Sequence, residues 1–165
     1  MSRLQPNYAF KPTAEHVLPL FCCASRGGGL TQALGITQRM SLPPTLDPES
    51  DAVQFVLRWF ELISEGKWTE AVSLIDLPSS YGQTWTRAEI EAQLAEYGPA
   101  GARLTSPATT TGHRHTNTGR FDDRSGFYLD CGFPLNGTWS DLSAQFEFLE
   151  VNGRYSVRLQ DIHVL

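Results

Sequence analysis

Two runs decide the fold of this chain: Leu142-Ser-Ala-Gln-Phe-Glu-Phe-Leu149 and Arg154-Tyr-Ser-Val-Arg-Leu159. Apolar and polar residues alternate in both runs, and the pair Asn152-Gly153 lies between them. An Asn-Gly pair between alternating runs is the strongest short-range signal for a β-hairpin closed by a two-residue turn. The sequence therefore predicts a C-terminal hairpin with one apolar face.

Counting outward from the turn predicts which residues of the hairpin lie opposite each other. The apolar face carries two pairs, Phe148 with Val157 and Phe146 with Leu159. The other face carries Glu147 opposite Arg158, a cross-strand pair of opposite charge. The residues upstream of the hairpin must then cover its apolar face.

Beyond Leu159 the strand has two ways to continue. In a regular strand, Asp161 and His163 point to the apolar face, where a carboxylate near an imidazole can serve as a general base. A β-bulge after Leu159 instead turns Ile162 and Val164 inward and leaves Asp161 and His163 at the surface. The bulge is favoured, because a buried Asp without a partner is uncommon.

Three helical patterns precede the sheet, over about residues 47–64, 67–75 and 86–98. Asp47 or Ser50 can cap the first helix, whose apolar stripe is wide enough to be covered on two sides. Thr86-Arg-Ala-Glu89 has the pattern of a capping box at the start of the third helix.

Strand and turn signals replace the helical period from Ala102 onward. Residues 105–118 are rich in Thr and Gly and compatible with a strand, residues 122–126 with a turn, and residues 127–135 with a second strand. Asn136-Gly137 is a second Asn-Gly turn. We predict an α+β fold for residues 41–165, with three N-terminal helices packed on a curved antiparallel sheet of about four strands.

This order of elements resembles the cone-shaped nuclear-transport-factor-2-like group, which includes ketosteroid isomerases and SnoaL-like polyketide cyclases. Residues 47–165 also resemble a bacterial domain family of uncharacterised function, through Ser140-Asp-Leu142 and the ending Asp161-Ile-His-Val-Leu165. Neither resemblance implies an activity by itself.

The N-terminal residues 1–40 are interpreted as an extension outside the evolved domain. Asn7-Tyr-Ala-Phe-Lys-Pro-Thr-Ala-Glu15, followed by Cys22-Cys23 and Arg26-Gly-Gly-Gly-Leu30, resembles peptides translated from the recombination-site repeats of integron gene cassettes. The resemblance implies a mobile cassette origin and Met40 as the natural start. The alternative is an arm that packs its apolar side chains on the core or on a neighbouring subunit.

Charge and cysteine content exclude several classes of protein. A net charge of −5 argues against nucleic-acid binding, and no apolar run is long enough for a membrane helix. Three cysteines without metal-ligand spacing favour a reducing cytoplasm. His113-Arg-His115 offers two imidazoles but no further ligand nearby, and no phosphate loop or dinucleotide fingerprint is present, so we predict neither a metal nor a cofactor.

We predict a cytoplasmic domain that binds a small apolar molecule or a protein partner in the concave face of its sheet, without catalysis. The predicted lining of this site is Trp139, Tyr128, Trp85 and Phe146. One alternative is an isomerase, cyclase or dehydratase with Asp161 or His163 as base. Another is an immunity or antitoxin-like protein, and a homodimer through the outer face of the sheet is expected by analogy with cone-fold proteins.

Overall fold

The computed structural model describes residues 47–98 and 102–165. The interpretation of residues 1–40 and the domain boundary at residue 41 lie outside the described residues. Cys22 and Cys23 lie outside them as well.

The chain forms three helices followed by a four-stranded sheet. The helices are α1 (Pro48–Ser64), α2 (Trp68–Ser73) and α3 (Arg87–Tyr97), and a short 3-10 turn spans Pro107–Thr109. The strands are β1 (Thr116–Arg120), β2 (Gly126–Leu135), β3 (Thr138–Val151) and β4 (Arg154–Val164). They pair antiparallel in the order β1-β2-β3-β4, so the predicted α+β class and four-stranded antiparallel sheet are confirmed.

The helix caps follow from the sequence. The Asp47 side chain accepts a hydrogen bond from the Ser50 amide at 3.2 Å, and Pro48 occupies the first turn of α1. In α3 the Thr86 hydroxyl accepts from the Glu89 amide at 3.3 Å, while the Glu89 carboxylate accepts from the Thr86 amide at 2.7 Å. The predicted capping box is therefore confirmed.

Both Asn-Gly turns adopt the backbone that the sequence predicts. Asn152 and Gly153 have φ values of 54° and 72°, and Asn136 and Gly137 have 51° and 80°. Two successive positive φ values define the turn type that matches the twist of a hairpin. The three cross-strand pairs predicted next to Asn152 are all present: Phe148 with Val157, Phe146 with Leu159 and Glu147 with Arg158.

Helix α1 covers the apolar side of the sheet, which we call the inner face. The Phe55 ring meets the rings of Phe146 and Phe148 edge-on, with centroids 6.3 and 5.7 Å apart. The Trp59 ring lies 5.3 Å from Phe146 in the same manner. Phe146 and Phe148 are fully buried, so these aromatic contacts form the centre of the core.

The opposite side of the sheet, the outer face, is polar. The Arg158 Nε donates to Glu147 Oε2 at 2.6 Å, and both side chains are largely buried. Asp130 on β2 lies opposite Gln145 on β3, and Asn117 on β1 donates to the Asp130 carboxylate at 3.3 Å. A charged hydrogen-bonded pair in the middle of a sheet fixes how its strands align.

Strand β4 bulges at Gln160. Leu159 lies opposite Phe146, but the next paired residue, opposite Gln145, is Asp161. Ile162 consequently turns to the inner face, where it is 5% exposed. The predicted bulge is confirmed, and the regular continuation that placed Asp161 and His163 on the inner face is wrong.

Two further details differ from the sequence prediction. Val164 was expected to turn inward with the bulge, yet it is 56% exposed because it lies at the end of β4. The strand predicted within residues 105–118 begins only at Thr116, and the 3-10 turn occupies part of the expected stretch.

Residues 76–80 lie along the side of β4 that does not pair with β3. The amides of Asp76 and Leu77 donate to the Val157 carbonyl at 2.8 and 3.1 Å. The Val157 amide in turn donates to Asp76 Oδ2 at 3.0 Å. Further along, the Ser80 amide donates to the Gln160 side chain at 2.8 Å. This segment is therefore bonded to the sheet like a short additional strand.

Candidate functional site

The four residues predicted to line a ligand cavity do not lie together on the inner face. Phe146 is fully buried between Phe55 and Trp59, so α1 occupies the space expected for a ligand. Trp85 is also buried, in the part of the core that lies at the start of α3.

The other two predicted lining residues lie elsewhere. Tyr128 is on the outer face, opposite Glu147 and Gly119, with its ring 6.4 Å from Phe121. Trp139 is half-buried with its ring 6.4 Å from Phe60, and the Arg114 guanidinium lies 5.8 Å from its ring centre. Tyr128 and Phe146 therefore lie on opposite sides of the sheet and cannot line one cavity.

Asp161 and His163 form a solvated pair on the outer face. Asp161 Oδ2 lies 3.6 Å from His163 Nδ1, and the two side chains are 55% and 32% exposed. The other oxygen, Asp161 Oδ1, accepts from the Ile162 amide at 2.9 Å. A pair in contact with water lacks the dry surroundings that tune a general base, and its catalytic role stays a prediction.

A pocket of about 330 Å³ opens at one end of the sheet, and we call it the end pocket. Two turns build it, the β1–β2 turn and the β3–β4 hairpin. Its lining consists of Arg120, Phe121, Arg124, Gly126, Phe127, Glu150 and Tyr155.

Hydrogen bonds hold the β1–β2 turn in place. The Phe121 amide donates to the Gly126 carbonyl at 3.1 Å, and the Arg124 amide donates back to the Phe121 carbonyl at 3.0 Å. The Ser125 carbonyl accepts from the Glu150 amide at 2.8 Å, which ties the turn to β3. Arg124 has a φ of 60°, an uncommon backbone for a residue with a side chain. The turn therefore presents the Arg124 side chain from a fixed backbone.

Asp123 stabilises the same turn. Its carboxylate accepts from the Ser125 amide at 2.9 Å. Hydrogen bonds from the side chain and the amide of Ser125 hold the pKa of Asp123 below its ordinary value. The ionised form of Asp123 is therefore the form that these hydrogen bonds favour.

The floor of the end pocket is aromatic. Phe127 is buried and stacks on Phe148 of the core, with centroids 5.0 Å apart and planes 10° from parallel. Tyr155 meets Phe127 edge-on at 5.4 Å. A floor made of rings that are themselves packed in the core is rigid, which favours a preformed binding site.

Charged groups surround this floor. Arg120 Nη2 lies 3.3 Å from Glu49 Oε1 at the start of α1, so its charge is partly neutralised. No carboxylate in residues 47–98 and 102–165 lies within ion-pair distance of Arg124. The arrangement thus offers an unpaired guanidinium beside an apolar surface, a combination that binds the carboxylate of a partly apolar molecule.

The described residues also give little support for a cysteine nucleophile, a metal site or a membrane-spanning helix. Burial raises the pKa of the Cys131 thiol to about 12, which keeps it protonated and unreactive. Within the described ranges, no three His, Cys, Asp or Glu side chains lie close enough together to share a metal ion. Across the same ranges, no helix has both the length and the apolar character that a membrane crossing requires.

Comparison with known proteins places the domain in a family. The family described as Domain of unknown function (DUF7668) matches residues 60–165, which is most of the chain. This chain belongs to the DUF7668 family. The DUF7668 match includes all four strands and every residue of the end pocket. No curated protein and no solved structure matches the chain.

Sequence reasoning missed the end pocket, although a signal for it exists. In an antiparallel sheet of order β1-β2-β3-β4, the first and third turns lie at the same end. The sequence predicted both turns, at residues 122–126 and 152–153. Arginine, glutamate and aromatic residues next to two turns at the same end are therefore candidates for a common site.

Proposed function

We propose that this DUF7668 domain binds a small carboxylate with an apolar body of about one ring in its end pocket. The observation that carries the proposal is the position of Arg124. A hydrogen-bonded turn holds its guanidinium, which has no carboxylate partner among the described residues, at a pocket whose floor is formed by Phe127 and Tyr155.

The chemistry of the pocket supports this class of ligand. A guanidinium presents parallel N–H groups that match the two oxygens of a carboxylate. Phe127 and Tyr155 offer apolar ring surface for the rest of the molecule. A volume of about 330 Å³ is at the small end of the usual range for ligand sites, so a compact ligand fits best.

The sequence predicted a small apolar ligand or a protein partner; the proposal keeps a small ligand, gives it a carboxylate and moves its site. The predicted site was the concave inner face, where α1 now packs against Phe146. No residue of α1, α2 or α3 lines the end pocket, so a ligand can occupy it without displacing a described helix.

Calorimetric titration with three matched probes tests the proposal: phenylacetate, phenylacetamide and phenylethylamine. We expect phenylacetate to bind most tightly, because only its carboxylate can pair with Arg124. The substitution Arg124→Gln should weaken phenylacetate binding by roughly tenfold or more, since a hydrogen bond to a charged group contributes about 1.5–3 kcal/mol. It should leave the binding of phenylacetamide nearly unchanged.

The control is Arg103→Gln. Arg103 is exposed and lies outside the end pocket, so this variant loses the same charge at another place. Equal binding of the acid and the amide by the unaltered protein would contradict the proposal, as would equal losses in the two arginine variants.

A further inference from the structure

The end pocket carries opposite charges on two of its sides. Arg120 and Arg124 belong to the end of β1 and to the turn that follows it, whereas Glu150 belongs to the end of β3. Strand β2 lies between β1 and β3, so it separates the basic side of the pocket from the acidic side. The pocket is therefore dipolar, a property that the binding of a simple carboxylate does not use.

The register of the strands places Glu150 beside the aromatic floor of the pocket. Phe127 lies opposite Phe148 on β3, and side chains two residues apart on a strand project to the same face of a sheet. Glu150 therefore projects to the same face as Phe148, and its partner across the hairpin is Tyr155. Both Glu150 and Tyr155 line the pocket, so a ligand that lies on the floor meets the Glu150 side chain.

The charges of Arg124 and Glu150 do not neutralise each other. The Glu150 amide donates to the Ser125 carbonyl at 2.8 Å, which holds the backbones of Arg124 and Glu150 close together. Both side chains are exposed, yet no ion pair joins them, and Glu150 has no cationic partner among residues 47–98 and 102–165. A molecule that carries both a carboxylate and an ammonium group can therefore bind between these two side chains.

We propose that the ligand of the end pocket is a free aromatic α-amino acid, an inference that rests on the proposed carboxylate-binding function. The Arg124 guanidinium donates hydrogen bonds to the ligand carboxylate, and the ligand ammonium group donates to the Glu150 carboxylate. A simple carboxylate would bring a second negative charge near Glu150, which is unfavourable. An ammonium group beside the carboxylate turns this repulsion into an attraction, so Glu150 determines specificity for an amino acid.

The remaining groups of the pocket define the class of amino acid. Phe121 and Tyr155 line the pocket and are half-buried, so each ring keeps part of its surface open for an aromatic side chain. The requirement for two opposite charges on neighbouring atoms excludes a residue within a peptide. The first residue of a peptide has no free carboxylate, and the last has no free ammonium group. Only a free amino acid supplies both charges to the pocket at once.

Calorimetric titration of the full chain with three matched probes tests the inference. The probes are L-phenylalanine, hydrocinnamate, which lacks the ammonium group, and L-phenylalaninamide, which lacks the carboxylate. We expect the affinity for L-phenylalanine to exceed that for either analogue by about fivefold, because only L-phenylalanine pairs with both side chains and water weakens such exposed pairs. Glu150→Gln should abolish the advantage of L-phenylalanine over hydrocinnamate and should not weaken the binding of hydrocinnamate itself.

Glu96→Gln is the matched control, because Glu96 lies on α3 outside the end pocket and loses the same charge. Both glutamates are exposed, so both variants should keep the thermal unfolding midpoint of the unaltered protein.

The outcomes separate this inference from the proposed function. Equal affinities for L-phenylalanine and hydrocinnamate, both reduced by Arg124→Gln, would overturn the amino-acid inference and leave the carboxylate-binding function intact. Equal losses of L-phenylalanine affinity in the two glutamate variants would do the same. Binding of neither acid, or binding that Arg124→Gln does not weaken, would overturn the carboxylate-binding function and this inference with it.

Discussion

Two glycines of the sheet illustrate how single residues set distances between strands. A Cβ atom at Gly126 would lie 2.0 Å from the Phe148 carbonyl oxygen, which is fixed in the backbone of β3. A Cβ atom at Gly119 would lie 2.5 Å from Cε1 of Tyr128, whose ring can rotate away. Gly126 thus lets β2 start close against β3, and Gly119 leaves room for an aromatic ring from the neighbouring strand.

We expect Gly126→Ala to destabilise the protein by roughly 1–3 kcal/mol, the usual cost of forcing extra atoms into a packed structure. Gly119→Ala should cost less, because a side chain gives way more easily than a backbone carbonyl. Urea unfolding of both variants and the unaltered protein measures the difference. Equal stability of the two variants would show that the strands separate freely at Gly126.

The bulge in β4 decides which residues of that strand reach the core. Gln160 has no residue opposite it on β3, and because it is left unpaired, Ile162 lies on the inner face opposite Ala144. A strand without Gln160 would pair Leu159 with Phe146 and Asp161 with Gln145, as it does now. The bulge therefore accommodates an additional residue without changing the facing of its neighbours.

Deleting Gln160 should consequently cost little more than the substitution Gln160→Ala, because both lose the hydrogen bonds to Ser80, about 1 kcal/mol each. Deleting Arg158 should cost more than about 4 kcal/mol. Val157 and Leu159 would then be adjacent and could not both face the core. Urea unfolding measures all three variants. A Gln160 deletion as damaging as the Arg158 deletion would contradict this account of the bulge.

The same elements show how far local sequence predicts structure. The hairpin could be predicted pair by pair up to Leu159, because turn chemistry and alternation act over a few residues. The bulge was only one of two alternatives, since the partner of Gln160 is Ser80, which lies 80 residues away along the chain. The start of β1 could not be placed, because Thr and Gly in residues 105–118 suit strands and turns alike.

A hydrogen bond joins the helical half of the protein to the sheet. The Tyr97 hydroxyl, at the end of α3, donates to Asp141 near the start of β3. This hydrogen bond, together with partial burial, raises the pKa of the Tyr97 phenol above its ordinary value. The Asp141 carbonyl also accepts from the Leu165 amide at 3.0 Å, so three distant parts of the chain meet there.

The raised pKa of Tyr97 predicts a loss of stability at high pH. The phenol stabilises the fold while it is protonated, so its contribution is complete below the pKa of the unfolded chain, about 10, and disappears as pH rises through the folded value. The unfolding free energy should therefore fall more steeply above about pH 10 in the unaltered protein than in Tyr97→Phe.

The exposed Tyr81 supplies the control. Tyr81→Phe should show the same decrease in unfolding free energy per pH unit above about pH 10 as the unaltered protein. Cys131, with its pKa raised to about 12, contributes in the same direction in every variant, so only the difference between slopes is informative. If the unfolding free energies of Tyr97→Phe and Tyr81→Phe fell equally with pH above about pH 10, the Tyr97 hydrogen bond would not stabilise the fold.

The end pocket, unlike the hairpin, depends on the assembled sheet. Arg124 lies on the β1–β2 turn and Tyr155 at the start of β4, and only the antiparallel order of the four strands brings them to the same end. The inner face was predicted as a cavity because the width of the apolar stripe on α1 does not reveal how deeply its rings insert. Phe55 and Trp59 fill that space.

Residues 76–80, which lie along β4, affect how readily the protein aggregates at high concentration. An unpaired strand edge recruits strands from other molecules, which is a common route to aggregation. Asp76 and Leu77 shield β4 at Val157 and Arg158. The opposite edge, in the described part of the chain, is β1, only five polar residues that include a glycine and end in an arginine. Both edges of the sheet are therefore poor templates for pairing with strands of other molecules. A concentrated solution of the folded protein should consequently resist conversion to fibres.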